Sequence, residues 1–311
     1  MDTYGIIIAM IQVFQIVIGV IGNFSLIIHY ICLYFHGFKS QSTDLTLRDL
    51  TVANSLVILS KGVPQTIAAF GWKDFLNDRE CQVVLYIHRV ARGVSIGSTC
   101  LLSVFQAITI NPRNSRWAYS KIKAQNYIGL SNKLLWVLQV LVNASFPIYM
   151  TVKNSNKTIT KKNNFGLCSV PCNDNNTFTL FIVLISSYDI LCIVIMSWAS
   201  GFMLSILYRH KQQVRHIYSN NLSHRSSPET RASQSILLLV STFVFFYGFS
   251  SIIYVYLALV ENYSSWLVDL SKLITACFPT ISPFILMSSN AHVMKLCCVC
   301  CARNVQFPPL V

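Results

Sequence analysis

The stretch IIIAMIQVFQIVIGVIGNFSLIIHYICLY, residues 6–34, contains no Asp, Glu, Lys or Arg. A hydrocarbon core roughly 30 Å thick is crossed by about 20 apolar residues in an α-helix, so this run is long enough to span a membrane. No water is available there to satisfy a backbone amide, and the helix is the form in which a single segment satisfies its own. The run has no basic segment before it and no small-x-small cleavage site after it. It therefore reads as a first permanent span rather than a signal peptide.

Working outward from it, six more runs share this character, at residues 47–70, 83–110, 134–152, 178–207, 235–259 and 266–288. The segments between them carry most of the Lys, Arg, Asn and Pro. The composition agrees: 53% of the 311 residues are hydrophobic and 11% charged, with a mean hydropathy of +0.52. A water-soluble surface cannot be built from such a chain. The expectation is an all-α membrane protein, a seven-helix bundle that forms one domain over 1–311, with residues 289–311 as a short tail.

Orientation follows the Lys/Arg bias of short loops. With the N-terminus outside, fourteen Lys and Arg fall on the cytoplasmic side and seven on the other. Cys81 then stands at the outer mouth of the third run, and Cys168 and Cys172 lie in the following outer loop, all facing an oxidising compartment. A Cys81–Cys168 bridge and free thiols are both open on the residues alone. Acceptor triplets for N-glycosylation begin at Asn156, Asn175 and Asn262 on the same side. Cys297, Cys298, Cys300 and Cys301 sit beside the membrane on the cytoplasmic side, where palmitoylation and unmodified thiols are both open and metal binding is the weakest reading.

Charge at membrane depth is costly, which makes each instance a functional candidate. Lys61, Arg89, Arg92 and Asp189 lie about 12–16 Å below the outer ends of their helices at 1.5 Å per residue, with His88 beside them. A common depth on the second, third and fifth runs is what a ligand cavity open to the outside requires. The competing reading is an ion pair of Asp189 with Arg89 or Arg92 that only joins helices. Asn23 and Asn54 read as hydrogen-bonding residues between helices, and Pro279 and Pro283 as a kink in the last run. Lys272 lies near the outer end of that run without an obvious buried partner. The basic cytoplasmic segments include Arg113, Arg116, Arg209, Lys211 and Arg215; topology and anionic lipid account for their charge, and a G-protein docking surface is compatible with it.

No phosphate-binding Gly-rich loop, His-Glu-x-x-His or facing carboxylate pair is present. The expectation is a protein that is not an enzyme and uses neither cofactor nor metal.

Longer strings then become informative. Leu45-Thr-Leu-Arg-Asp-Leu-Thr-Val-Ala-Asn-Ser-Leu56, His88-Arg-Val-Ala-Arg-Gly-Val-Ser-Ile-Gly97, the run 101–110, the run 226–236 and Phe278-Pro-Thr-Ile-Ser-Pro-Phe284 closely resemble the vomeronasal type-1 receptors, pheromone-sensing G-protein-coupled receptors. The resemblance covers nearly the whole chain. It implies a rhodopsin-like seven-helix architecture in the plasma membrane, small pheromone or odour-like ligands from outside and an inhibitory-class heterotrimeric G protein inside. It also implies a Cys81–Cys168 bridge, and it gives no role to nucleic acid. Departures from the common rhodopsin-like pattern are plain: Asn54 replaces the acid of helix two, Phe105-Gln-Ala107 stands where Asp-Arg-Tyr is usual, and Ser282-Pro-Phe-Ile-Leu286 where Asn-Pro-x-x-Tyr is usual. The usual switch residues therefore do not carry over. A bitter-taste-like receptor and a seven-helix channel or transporter remain as alternatives.

Overall fold

The computed structural model describes residues 3–35, 42–70, 76–110, 115–144, 162–164, 169–171, 175–217, 228–259 and 265–289. Helix α1 spans Thr3–Phe35. A second rod consists of α2 (Ser42–Val57), a π-helical turn (Ile58–Gly62) and α3 (Val63–Ala69). Then come α4 (Asp78–Thr109), α5 (Ser115–Asn143), α6 (Asn175–Ile217), α7 (Pro228–Leu259) and α8 (Ser265–Ser289). Between α5 and α6 two short strands, β1 (Lys162–Asn164) and β2 (Ser169–Pro171), pair antiparallel with Lys162 opposite Pro171. The described residues thus form seven helical rods.

Helix α4 is the axis of the bundle: it packs against α2, the π turn, α5, α6 and α7. Within its most apolar window 72% of residues are buried, against 22% for α6, which stands at the rim. Outward faces carry Phe14, Leu141, Trp198 and Ile252, all about two-thirds exposed in the isolated chain, as expected of surfaces that meet lipid. Inside, the Phe243 and Tyr247 rings stack at 4.3 Å, and Phe278 meets Phe243 edge-on at 4.7 Å, joining α7 to α8.

Four described stretches are long and apolar enough to cross a membrane by themselves: Ile6–Phe35, Arg79–Thr109, Ser186–Arg209 and Trp266–Ser288. The rods built on α2 and α5 are less apolar: Asp49 and Asn54 on α2 and Asn132 on α5 make side-chain bonds to neighbouring helices, while Asn143 donates to the Gln139 carbonyl within α5.

Three boundaries differ most from the sequence expectation. Helix α5 begins at Ser115, inside the stretch read as a cytoplasmic loop, since no proline interrupts helix formation between 115 and 143. It ends at Asn143, short of the expected 152; residues 145–152 lie outside the described ones. Helix α6 continues through the basic segment to Ile217. Within the second rod the helix widens just before Pro64. A proline has no N–H to return to the preceding turn, and at the start of α3 that absence is tolerated.

Helices pack closely where side chains are smallest. A Cβ on Gly97 would stand 2.6 Å from Leu135 and 2.7 Å from the Tyr188 hydroxyl, and one on Gly93 would collide with the Gln139 amide. Gly93 and Gly97 lie one turn apart, so this small-residue stripe lets α5 and α6 approach the α4 backbone. Tyr188 Oη uses that approach to donate to the Gly93 carbonyl at 3.1 Å.

Candidate functional site

His88 and Arg92 lie one turn apart on α4, with Arg89 between them. Arg92 Nη2 donates to Asp189 Oδ2 of α6 at 2.9 Å and approaches Ser251 Oγ of α7 at 3.4 Å. Its guanidinium carbon lies 5.5 Å from the centroid of the Tyr247 ring, within cation–π range. Side-chain exposure is 20% for Arg92 and 10% for Asp189, so the pair is largely desolvated. Arg89 also bears electrostatically on Asp189. Of the two readings left open by the sequence, the geometry contains the ion pair, made with Arg92. It fastens three helices in one place.

The other face of this layer is organised by the π turn. The Ser60 hydroxyl on this turn donates to the Val57 carbonyl at 3.4 Å, and His88 reaches the same hydroxyl from α4. Its Nδ1 lies 3.4 Å from Ser60 Oγ. His88 is buried and therefore has a packing role of its own. Lys61, on the same turn, lines a cavity of about 30 Å³ together with His88, Gln65, Lys272, Thr275 and Thr280, among others. The five candidates thus lie at similar depth but separate laterally: Lys61 and His88 line this cavity toward α1 and α8, while Arg92 and Asp189 join α4 to α6 and α7, with Arg89 acting on Asp189. Lys272 differs from its sequence reading, because Asp269 lies one turn away and the two pair at 2.7 Å.

Deeper in the bundle are polar contacts that sequence reasoning did not connect. Ser95 Oγ donates to Asn54 Oδ1 at 2.7 Å, and Asn54 Nδ2 donates to Ser282 Oγ at 2.8 Å, linking α4, α2 and α8. Asn132 of α5 donates to Asp49 and accepts from Ser98 at 3.0 Å. Asn23 Nδ2 donates to the Gly19 carbonyl at 2.8 Å and to the Pro279 carbonyl at 2.9 Å. The Pro279 carbonyl is the one that the N–H of residue 283 would satisfy, and residue 283 is proline. Asn23 supplies from α1 the donor that α8 lacks.

At the mouth of α4, the Asn77 backbone N–H donates to Glu80 Oε2 at 2.9 Å, fixing the first turn. Cys81 follows and is disulfide-bonded, which belongs to an oxidising compartment. Its expected partner Cys168 lies outside the described residues, as do Asn156, Asn262, Arg113 and the four tail cysteines Cys297, Cys298, Cys300 and Cys301. Asn175 is the first residue of α6. Arg116 falls in the first turn of α5, and Arg209, Lys211 and Arg215 lie toward the C-terminal end of α6, where Arg209 is exposed.

Comparison with known proteins places this arrangement. Residues 6–299 match the vomeronasal organ pheromone receptor family. The chain belongs to that family, the vomeronasal type-1 receptors. It is 60% identical over 294 residues to vomeronasal type-1 receptor 2 of Homo sapiens, covering 94% of this chain and 74% of that protein. It is 51% identical over 305 residues to vomeronasal type-1 receptor 3 of Homo sapiens, covering 98% and 97%. With vomeronasal type-1 receptor 4 of Homo sapiens it shares 50% over 283 residues, covering 91% and 94%. As a member of this family the chain is a seven-transmembrane pheromone receptor and an integral membrane protein, of a class that binds ligands and couples to G proteins. The bitter-taste and channel readings are not favoured by this placement. Within the vomeronasal scaffold, the layer where other rhodopsin-like receptors carry an acid on helix two is built on the uncharged Asn54–Ser95–Ser282 chain.

Proposed function

We propose that this vomeronasal-family chain takes a small chemosignal from the side on which its N-terminus lies, outside the cell, and signals through an inhibitory-class heterotrimeric G protein. The observation that carries the proposal is the layer of Lys61, His88, Arg89, Arg92 and Asp189 beneath the disulfide-bearing mouth of α4. Ionisable groups at membrane depth are costly, and ligand recognition is the use for which such a cost is commonly retained. The apolar walls around the layer suit a small, largely apolar molecule with one or two polar groups. A ligand that binds the signalling state more tightly supplies the drive, and its differential affinity sets how far the population moves.

In this reading Cys81 bridges Cys168, and Asn156, Asn175 and Asn262 are glycosylated. Arg113, Arg116, Arg209, Lys211 and Arg215 face the G protein, and Cys297, Cys298, Cys300 and Cys301 take palmitate. The whole chain is one receptor domain.

The test is expression with a promiscuous calcium-linked G protein, screening small volatiles and steroids with and without G-protein blockade, followed by blockade selective for the inhibitory class. A ligand response abolished by blockade supports the proposal. A ligand-gated current that resists blockade refutes it in favour of a channel.

A further inference from the structure

Among the described residues four cysteines carry free thiols: Cys32, Cys100, Cys192 and Cys277. Cys277 of α8 has bonds of its own, donating to the Leu273 carbonyl and accepting from the Gln15 amide, each at 3.3 Å. Cys100 of α4 and Cys192 of α6 differ, because their thiols meet each other across the seam between two helices. Spacing explains the meeting. Gly93, Gly97 and Cys100 follow at intervals of four and three residues along one face of α4, and Tyr188 and Cys192 are four apart on α6. Tyr188 packs against this glycine stripe and bonds to the Gly93 carbonyl, so Cys192, one turn deeper on the same face, is delivered to Cys100.

Burial decides what this pair can become. Cys100 is 9% and Cys192 7% exposed, and both belong to the central apolar cluster. One cysteine in such a place is an ordinary small core residue. Two in contact have a reaction that a single buried thiol lacks, and it leaves no charge behind: two neutral thiols become one neutral disulfide. Holding a metal ion instead needs thiolates in an apolar core, where charge is costly. The Tyr188 hydroxyl stands beside Cys192. With the Cys100 thiol it supplies donors for the charge that builds on Cys192 sulfur during attack.

We infer that Cys100 and Cys192 form a reversible oxidation site, at which a hydroperoxide joins α4 to α6 through a disulfide. Cys192 sulfur attacks the terminal peroxide oxygen; an S–O bond forms, the O–O bond breaks, and the thiol proton leaves with the departing oxygen as water or an alcohol. Cys100 sulfur then attacks the Cys192 sulfenic acid, forming S–S and breaking S–O, and its proton leaves with the hydroxide as water. The two electrons lost by the sulfurs are those gained by the peroxide oxygens. Counting from Cys81, Cys100 lies about 28 Å along α4 at 1.5 Å per residue, so the oxidant must be an uncharged one that enters a bilayer. Hydrogen peroxide and a lipid hydroperoxide share that chemistry. The disulfide fastens α4 to α6 two turns below Arg92 and one below Asp189, holding together two of the helices that their ion pair joins.

The experiment treats the purified full-length receptor in lipid nanodiscs, without G protein, so that its outcome is independent of the signalling proposal. Hydrogen peroxide is used in one arm and cumene hydroperoxide, which partitions into lipid, in the other. Remaining thiols are then blocked with N-ethylmaleimide in denaturant, and the unreduced digest is mapped by mass spectrometry. The expected result is a peptide linking Cys100 to Cys192, with alkylation of the two lost together and restored by dithiothreitol. A link with hydrogen peroxide assigns an aqueous source, and a link with cumene hydroperoxide alone a bilayer source. Because the disulfide closes a loop of about 90 residues, the linked receptor is expected to melt roughly 4–8 °C higher. Cys100→Ala and Cys192→Ala are each expected to lose both the link and the shift. The link itself is read on the unsubstituted receptor, so the test stands should a variant fail to fold. The inference is overturned if, at doses that consume Cys32, either thiol stays alkylated, is over-oxidised singly or joins another cysteine, or if the linked receptor melts no higher.

Discussion

The bond from Asn23 to the Pro279 carbonyl makes a prediction that a general packing argument does not. Replacing Asn23 with Leu keeps the branched heavy-atom skeleton, in methyls bulkier than the amide, but removes both side-chain donations, to Gly19 and to Pro279. The Gly19 carbonyl keeps its place in the helical ladder of α1, whereas the Pro279 carbonyl loses the donor that stands in for the missing N–H of Pro283. Orphaning a buried carbonyl costs about 1–3 kcal/mol, and hydrogen bonds between transmembrane helices average about 0.6 and reach about 1.7 kcal/mol. Leu also removes Asn23 Oδ1, a buried acceptor with no partner among the described residues, which offsets part of the loss. A net cost of about 1–2 kcal/mol follows, a fall of roughly 2–4 °C in the melting midpoint at about 2 °C per kcal/mol. The decisive step repeats the substitution in a Pro283→Ala background, where residue 283 can donate to Pro279 itself. There Asn23→Leu is expected to cost less than about 0.5 kcal/mol, the usual limit of additivity. Equal falls in both backgrounds, measured by thermal unfolding of the purified receptor, would refute the account of Asn23 as a surrogate backbone donor.

Breaking the largely buried Arg92–Asp189 pair from one side, by Arg92→Gln or Asp189→Asn, leaves an uncompensated charge. With allowance for the partial exposure of Arg92 this is expected to cost about 2–4 kcal/mol. The double variant is expected to lose less than the sum by more than about 1 kcal/mol, and additive losses in melting midpoint would remove the coupling. Gly97→Leu drives a side chain into Leu135 and Tyr188 and is expected to lower stability by about 1–3 kcal/mol. Gly201→Ala on α6, where nothing lies within 4 Å of the added carbon, is expected to be neutral or stabilising. Surface expression and melting of the two glycine variants check this contrast.

The fold was legible because apolar runs long enough to span are rare outside membranes, and α1, α4, α6 and α8 each contain one. Depth was legible too: counting residues along each helix put Lys61, Arg89, Arg92 and Asp189 in one layer, and Arg92 and Asp189 prove to be bonded. Azimuth was not, because the direction a side chain faces depends on which helix lies next to it. That is why Lys61 and His88 separate from the Arg92–Asp189 pair, and why the Asp49–Asn132 bond between α2 and α5 could not be foreseen. Two features had signals that went unused. Pro64 marks the π turn, and the three-residue spacing of Asp269 and Lys272 marks their pairing. The Gly93–Gly97 spacing likewise signals a close helix contact, although only the packed structure shows that Leu135 and Tyr188 fill it.

The π turn at Ile58–Gly62 also bears on how this chain tolerates change in its length. A one-residue deletion inside an ordinary transmembrane helix turns everything beyond it by about 100° and delivers lipid-facing side chains to the interior. Here one residue is already in excess of the regular ladder, so a deletion between 58 and 62 can be absorbed by tightening the turn to α-helix, leaving α2 and α3 in their present orientation. Alignments of this segment with receptors that have a regular second helix should therefore open a single-residue gap at this turn, where gaps inside a helix are normally forbidden.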